Sequence, residues 1–141
     1  MTLITDAFDA DRSSLFLYDA ESKELFSRIA QGDLVDEIRF PADSGVAGSV
    51  FRSGEPAIIL NAYTDPRFNS SVDAETGYHT HNILCVPLRT RARDIIGVTE
   101  VLNKRNGDFS AADSALLQAF TTHTAAVIET AQLSERARFT T

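Results

Sequence analysis

Hydrophobic and polar positions alternate over residues 13–19, where Leu15 and Leu17 oppose Phe16 and Tyr18, as a half-buried strand requires. The polar run DAESK at 19–23 predicts a turn into a second strand over 24–30, making a hairpin. Residues 37–40 predict a third strand, ended by Pro41, which has no N–H to give a ladder. Ser44 is placed to cap a short helix over 45–52 that Gly54 and Pro56 close. Gly45, Gly48 and Gly54 cost that helix about 1 kcal/mol apiece relative to alanine, so they call for a reason beyond helix formation. Residues 57–60 form a short apolar strand, and 82–88 and 95–102 are denser ones joined by a polar turn at 90–94. Between them YTDPRFNSSVDAETGYHTHNIL, residues 63–84, has no apolar period. Loops of this length in compact domains commonly lid or line a site. At the end, Ser110 and Asp113 form a carboxylate variant of the capping box. Leu116, Leu117, Phe120, Val127, Ile128 and Ala131 follow at helical spacing as the expected core-facing side. Six strands with helices gathered on one side, and no βαβ alternation, give an α+β fold with a central antiparallel sheet.

Composition narrows the function classes. A chain of 141 residues with 43% hydrophobic and 23% charged content is a single domain able to bury its own core. The net charge of -7 disfavours nucleic acid or an anionic membrane as main partner. No secretory leader and no run near the roughly 20 apolar residues of a membrane span is present, which points to the cytoplasm. The lone Cys85, set among Ile83, Leu84 and Val86, excludes an internal disulfide and a Cys-rich zinc site and reads as a small buried hydrophobe.

Candidate chemistry is sparse. The glycines of 45–48 suit either an anion at the uncapped N–H groups of a helix start or tight helix–sheet packing. Thr76 and Thr80 share a face if 76–81 is helical, and their hydroxyls then suit a ribose or phosphate oxygen; otherwise they are local caps. Tyr63 serves packing or a site equally well, and Arg67 is placed to brace the loop through Asp65 or Asp73. His79, His81 and His123 match no metal-ligand spacing, so no metal is assigned. Asp33, Asp36 and Glu37 read as a solvated acidic patch. With no nucleophile elbow, Walker loop or His-Glu-x-x-His, nothing argues for catalysis, and no catalytic cofactor is expected.

Five segments in order, SSLFLYD (13–19), FPADSGVAG (40–48), DPRF (65–68), TGYHTHNILCVP (76–87) and IGVTEVLNK (96–104), resemble a GAF domain over about residues 10–133. The chain is similar in particular to the cyclic-nucleotide-binding GAF domains of mammalian phosphodiesterases and bacterial adenylate cyclases. Asn103, Lys104, Phe109 and Asp113 match that subgroup's signature, while Ser114 stands where it has glutamate. The resemblance implies a ligand pocket beneath a lid on the sheet face away from the helices. It places the backbone of Val46 and Ala47 and the side chains of Tyr63, Thr76 and Thr80 at sugar and phosphate. Ser14, Ala30, Gln31 and Glu100 fall at the base, and Lys104 and Asp113 form a salt bridge behind the pocket that does not touch the ligand.

Glu100 suits the donors of guanine and also the amino group of adenine. The wording DPRFN (65–69) and TGY (76–78) is closest to the cyclase GAF domains, which favours cAMP over cGMP. The implied function is a regulatory sensor domain in a larger signalling protein, relaying occupancy to an output domain such as a nucleotide cyclase or phosphodiesterase, with a homodimer formed through the terminal helices. About a dozen residues precede the first strand, fewer than the family's opening helix needs, which suggests a fragment. The alternative is a GAF domain that has lost its ligand and serves as a dimerisation or relay module, favoured by Ser114, Gln31 and Ala30. Methionine sulfoxide reduction, as in some GAF domains, needs a second cysteine, and a bilin attachment needs a cysteine commonly set just before a histidine.

Overall fold

The computed structural model describes residues 2–30, 39–68, 77, 79–90 and 94–140, leaving aside the side chains of 2–4, 28–30 and 129–140. Helix α1 (Thr2–Ala7) leads into strands β1 (Ala10–Asp19), β2 (Glu24–Ala30) and β3 (Arg39–Pro41). Helix α2 (Gly45–Ser53) precedes β4 (Ala57–Ile59) and a single 3-10 turn, Ala62–Thr64. Strands β5 (Ile83–Arg89) and β6 (Ile95–Lys104) then lead to the long helix α3 (Ala111–Thr140). The six strands form one sheet in the order β3-β2-β1-β6-β5-β4, every pair antiparallel.

Alternation on the central strands separates two apolar layers. Phe16, Leu25, Ile83, Cys85 and Val98 meet Val46, Ala47 and Val50 of α2 on one face. On the other, Leu84, Val86 and Val101 meet Phe8, Phe109 and Leu117, while Leu15 and Leu88 meet Ala125. Helices α1 and α3, with their flanking residues, thus cover one face, and α2 with Ala62 and Phe68 covers the opposite one. Among the described residues no helix is long and apolar enough to cross a membrane.

Local chemistry accounts for the boundaries. The β1–β2 turn closes through the Lys23 N–H to the Asp19 carbonyl (2.8 Å), with Lys23 at φ 58°. Strand β1 starts at Ala10, three residues before the alternation becomes visible, because residues 10–13 pair with the end of β6. Pro41 does not stop β3 but lies within it opposite Glu24, as an edge strand allows, since the missing N–H faces no neighbour. Residues 37 and 38 of the expected strand, and the acidic patch Asp33, Asp36 and Glu37, lie outside the described residues. Gly54 closes α2 in the left-handed region at φ 73°, its N–H bonding the Val50 carbonyl (2.9 Å).

Two expectations about the helices need correction. Ser44 occupies the N-cap position of α2, but its side chain makes no cap hydrogen bond. The face of α3 turned to the sheet carries only part of the expected apolar row: Leu117 is buried and Ile128 packs beside Leu15, Leu88 and Ala125, while the Ala131 side chain lies outside the described residues. Ser114, Leu117, Thr121 and Ala125 are buried, whereas Leu116, Phe120 and Val127 are 45%, 39% and 56% exposed. The capping box forms as expected, with the Ser110 N–H on Asp113 Oδ2 (3.0 Å) and the Asp113 N–H on Ser110 Oγ (3.1 Å). It fixes the helix start, and the contacts of Leu117 with Phe8 and Phe109 fix the rotation.

Candidate functional site

The antiparallel register assembles one cross-strand row through the middle of the α2-side face. Ala57 of β4 lies opposite Cys85 of β5, Cys85 opposite Glu100 of β6, Glu100 opposite Ser14 of β1, and Ser14 opposite Ala30 of β2. Glu100 falls between Val98 and Leu102, both packed with the α2-side cluster, so its carboxylate faces the same way. Three positions expected at a base, Ser14, Ala30 and Glu100, are therefore neighbours although they sit on three strands. The Ala30 side chain, and Gln31 and Thr76 altogether, lie outside the described residues. Cys85 is fully buried; burial pushes its thiol well above the ordinary range, Glu100 adds to this, and Arg67 opposes it. A thiol so placed is a packing group and a poor nucleophile.

The two described ends of the loop after β4 are joined by the Ala62 N–H donating to the His81 carbonyl (2.8 Å). Across that neck Tyr63 stacks on His79, with ring centroids 4.7 Å apart and planes 9° from parallel, and meets Phe68 edge-on at 5.1 Å. Tyr63 is 47% exposed, so its ring helps to hold the loop's two ends together. Arg67 grips Asp65 twice, Nε to Oδ1 at 3.0 Å and Nη2 to Oδ2 at 2.9 Å, as one of the two expected partners; the other, Asp73, lies outside the described residues. That bond with Arg67 holds the Asp65 carboxyl below its usual range against the opposing effect of burial. Thr80 is buried, and residues 79–82 belong to no helix, so the condition for pairing Thr80 with Thr76 on a helix face is not met at its described end.

At the mouth of α2, Gly45 takes φ 70°, and Val46 and Ala47 are buried in the first turn. With no side-chain cap from Ser44, the first-turn N–H groups have the arrangement that attracts an anion. Gly48 answers to packing instead: an added Cβ would come within 2.8 Å of the Asp43 carbonyl carbon and 3.0 Å of the Ala42 oxygen.

Behind the loop the signature residues interlock. Lys104 Nζ meets Asp113 Oδ2 at 2.8 Å and lies 5.9 Å from the centre of the buried Phe109 ring. Burial opposes ionisation of Asp113, but its bonds to Lys104 and Ser110 prevail and hold the carboxyl below its usual range. Asn103, at φ 59°, accepts the His81 and Asn82 N–H groups on Oδ1 and donates Nδ2 to the His79 carbonyl (2.8 Å). Ser114, at the departure from the signature, is buried and accepts a hydrogen bond from Gln118 Nε2 (3.1 Å).

Replacing Lys104 by methionine is expected to remove about 1–2 kcal/mol at neutral pH, since Asp113 keeps its charge without its counterion. A carboxyl held low in the fold stabilises it fully above the ordinary aspartate range, and that contribution is lost as pH falls through the lower folded-state value. Denaturant titrations of the variant and the unsubstituted protein should therefore differ at pH 7 and converge in strong acid. A gap that persists unchanged would contradict this role.

Sequence reading missed Asn82, Gly97 and the stacking role of His79. Asn82 had one visible signal, a polar residue at the head of an apolar run. Among the described residues no cluster of three or more His, Cys, Asp or Glu could hold a metal.

Comparison with known proteins agrees with this architecture. The GAF domain profile matches residues 1–128. The chain is 37% identical over 142 residues to a protein named probable 3',5'-cyclic phosphodiesterase pde-5 from Caenorhabditis elegans, covering 92% of this chain and 19% of that protein. It is 36% identical over 147 residues to dual 3',5'-cyclic-AMP and -GMP phosphodiesterase 11 from Drosophila melanogaster, covering 92% of this chain and 10% of that one. The chain thus spans less than a fifth of either relative. Its fold superposes on the GAF domain of a phosphoenolpyruvate-protein phosphotransferase from Coxiella burnetii with a TM-score of 0.86 at 23% identity, over 96% of this chain and 81% of the other. The profile match over most of its length, with the sheet order and the interlocked signature residues, means that the chain belongs to the GAF domain family.

Proposed function

We propose that this domain is a regulatory sensor that binds a cyclic purine nucleotide, cAMP ahead of cGMP, between the α2-side face of the sheet and the loop over residues 61–82. The observation that supports it most is the row Ser14–Glu100–Cys85, which sets a carboxylate and a hydroxyl side by side on an otherwise apolar face. Such a floor suits an aromatic base with one polar edge: Glu100 accepts from the exocyclic amino group, and the apolar neighbours cover the ring. The uncapped start of α2, with Val46 and Ala47, takes the cyclic phosphate, and Thr80, with Thr76, takes the sugar. The domain performs no chemistry itself. In the cytoplasm it passes occupancy to an output domain such as a cyclase or phosphodiesterase, and the phosphodiesterase relatives favour the latter. Calorimetric titration of ligand-free protein with cAMP and cGMP tests this. Heat with one site per chain supports it, and silence at millimolar ligand rejects it.

A second reading, a domain without ligand that only pairs and relays, is favoured by Ser114, whose burial and bond to Gln118 replace the signature's acid. Both readings share a homodimer through α3. Residues 114–128 hold no Asp, Glu, Lys or Arg, yet Leu116, Phe120 and Val127 face outward at spacings of a helical seam. A Phe120→Glu substitution should weaken self-association at least about tenfold in sedimentation while leaving the melting temperature of the monomer nearly unchanged. An unsubstituted protein that sediments as a monomer at high concentration would rule the pairing out.

A further inference from the structure

Asn82 stands at the head of β5, fully buried, and uses every polar group it has on a single neighbouring segment. Its N–H donates to Asn103 Oδ1 (3.3 Å) and its carbonyl accepts the Asn103 N–H (2.9 Å). Its side-chain Oδ1 accepts the Lys104 N–H (2.8 Å), and Nδ2 donates to the Gly107 carbonyl (3.2 Å). The partners span the end of β6 and the turn that leads into α3. One residue before Lys104, Asn103 holds His79 and His81; nine residues beyond Lys104, Asp113 receives the Lys104 ammonium and closes the capping box of α3. The four bonds of the buried Asn82 are non-local and directional, and none can be released alone without leaving a polar group unsatisfied.

We propose that Asn82 is a positioning residue that fastens the returning end of the loop to the start of α3, so that the two segments gain and lose order together. A buried asparagine with one partner on each side would merely plug a gap. This one grips 103–107 at four points, and through Asn103 and Lys104 that segment joins 79–82 to the first turn of α3, so a perturbation at either end reaches the other. Coupling of this kind is reciprocal, and that property distinguishes it from ordinary stabilisation. It goes beyond nucleotide binding, because it holds whatever ligand the face takes.

Amide hydrogen exchange on the 141-residue chain without added ligand tests it. In Asn82→Ala, the amides of His81, Asp113 and Ser114 should exchange about tenfold faster, while Leu15 and Val98 at the centre of the sheet keep their rates. Equal acceleration everywhere would mean that Asn82 serves overall stability alone, and would overturn the proposal. Should Asn82→Ala fail to fold, Lys104→Met approaches from the other end, cutting the ion pair with Asp113 and leaving the backbone bond to Asn82 in place. The reciprocal result expected there is faster exchange at His81. Acceleration at Asp113 and Ser114 with His81 at its original rate would equally overturn the coupling.

Discussion

A Gly97→Ala variant is expected to be severely destabilised, its melting temperature falling by roughly 10 °C or more. Gly97 lies on β6 opposite Leu17, where the backbones of β6 and β1 pass so closely that an added Cβ would sit 2.0 Å from the Phe16 carbonyl oxygen and 3.1 Å from the Leu17 Cα. Both obstacles are backbone on a central strand, and neither can turn aside as a side-chain tip would. Relief requires the two strands to part, which breaks ladder bonds and withdraws Phe16 from its place against α2. A cost of at least about 3–5 kcal/mol follows, against a total of about 5–15 for a domain of this kind. Circular dichroism and a denaturant midpoint check it. A variant that melts within a few degrees of the original would contradict the close approach.

A Leu117→Ala variant should lose about 2–5 kcal/mol and roughly 10 °C of melting temperature, whereas Leu116→Ala should change stability by less than about 1 kcal/mol in the monomer. The residues are adjacent and chemically identical, so only their environments separate them. Leu117 is fully enclosed by Phe8, Leu84, Val86, Val101 and Phe109, and shortening it leaves a cavity that the rigid sheet cannot collapse to fill. Leu116 is 45% exposed. Thermal melts of both variants at low concentration, where association is minimal, give the comparison. Equal losses would mean that α3 is rotated from the position described here.

That pair also shows what could be read from the chain. Strands announced themselves because alternation and turn residues are local: 13–19 and 24–30, the turn 19–23, and the apolar runs before and after the 90–94 turn lie within a few residues of where the structure has them. The capping box was equally legible, since Ser110 and Asp113 bond each other. The buried face of α3 was not. Its periodic apolar residues include an outward stripe, while the inward side mixes Leu117 with Ser114, Thr121 and Ala125, and a hydrophobic count favours the wrong side. Gly97 gave no sign either, because the carbonyl that excludes a side chain there belongs to residue 16.

At the candidate site, family resemblance assigns Ser14, Ala30 and Glu100 to one base, and the strand register puts them on one row. Residue chemistry alone left Tyr63 and the glycines of 45–48 open. The role of Asn82 is invisible to any local pattern, because its side-chain partners lie more than twenty residues away.

Titration of nucleotide-free protein with cAMP and cGMP, read by calorimetry and repeated with Glu100→Ala, tests the central claim most directly. The sensor reading predicts saturable binding of one nucleotide per chain, stronger for cAMP, and a loss of about tenfold or more in Glu100→Ala from removing the hydrogen bond to the base. Absence of heat with either nucleotide at millimolar concentration, or equal affinity in Glu100→Ala, would contradict it.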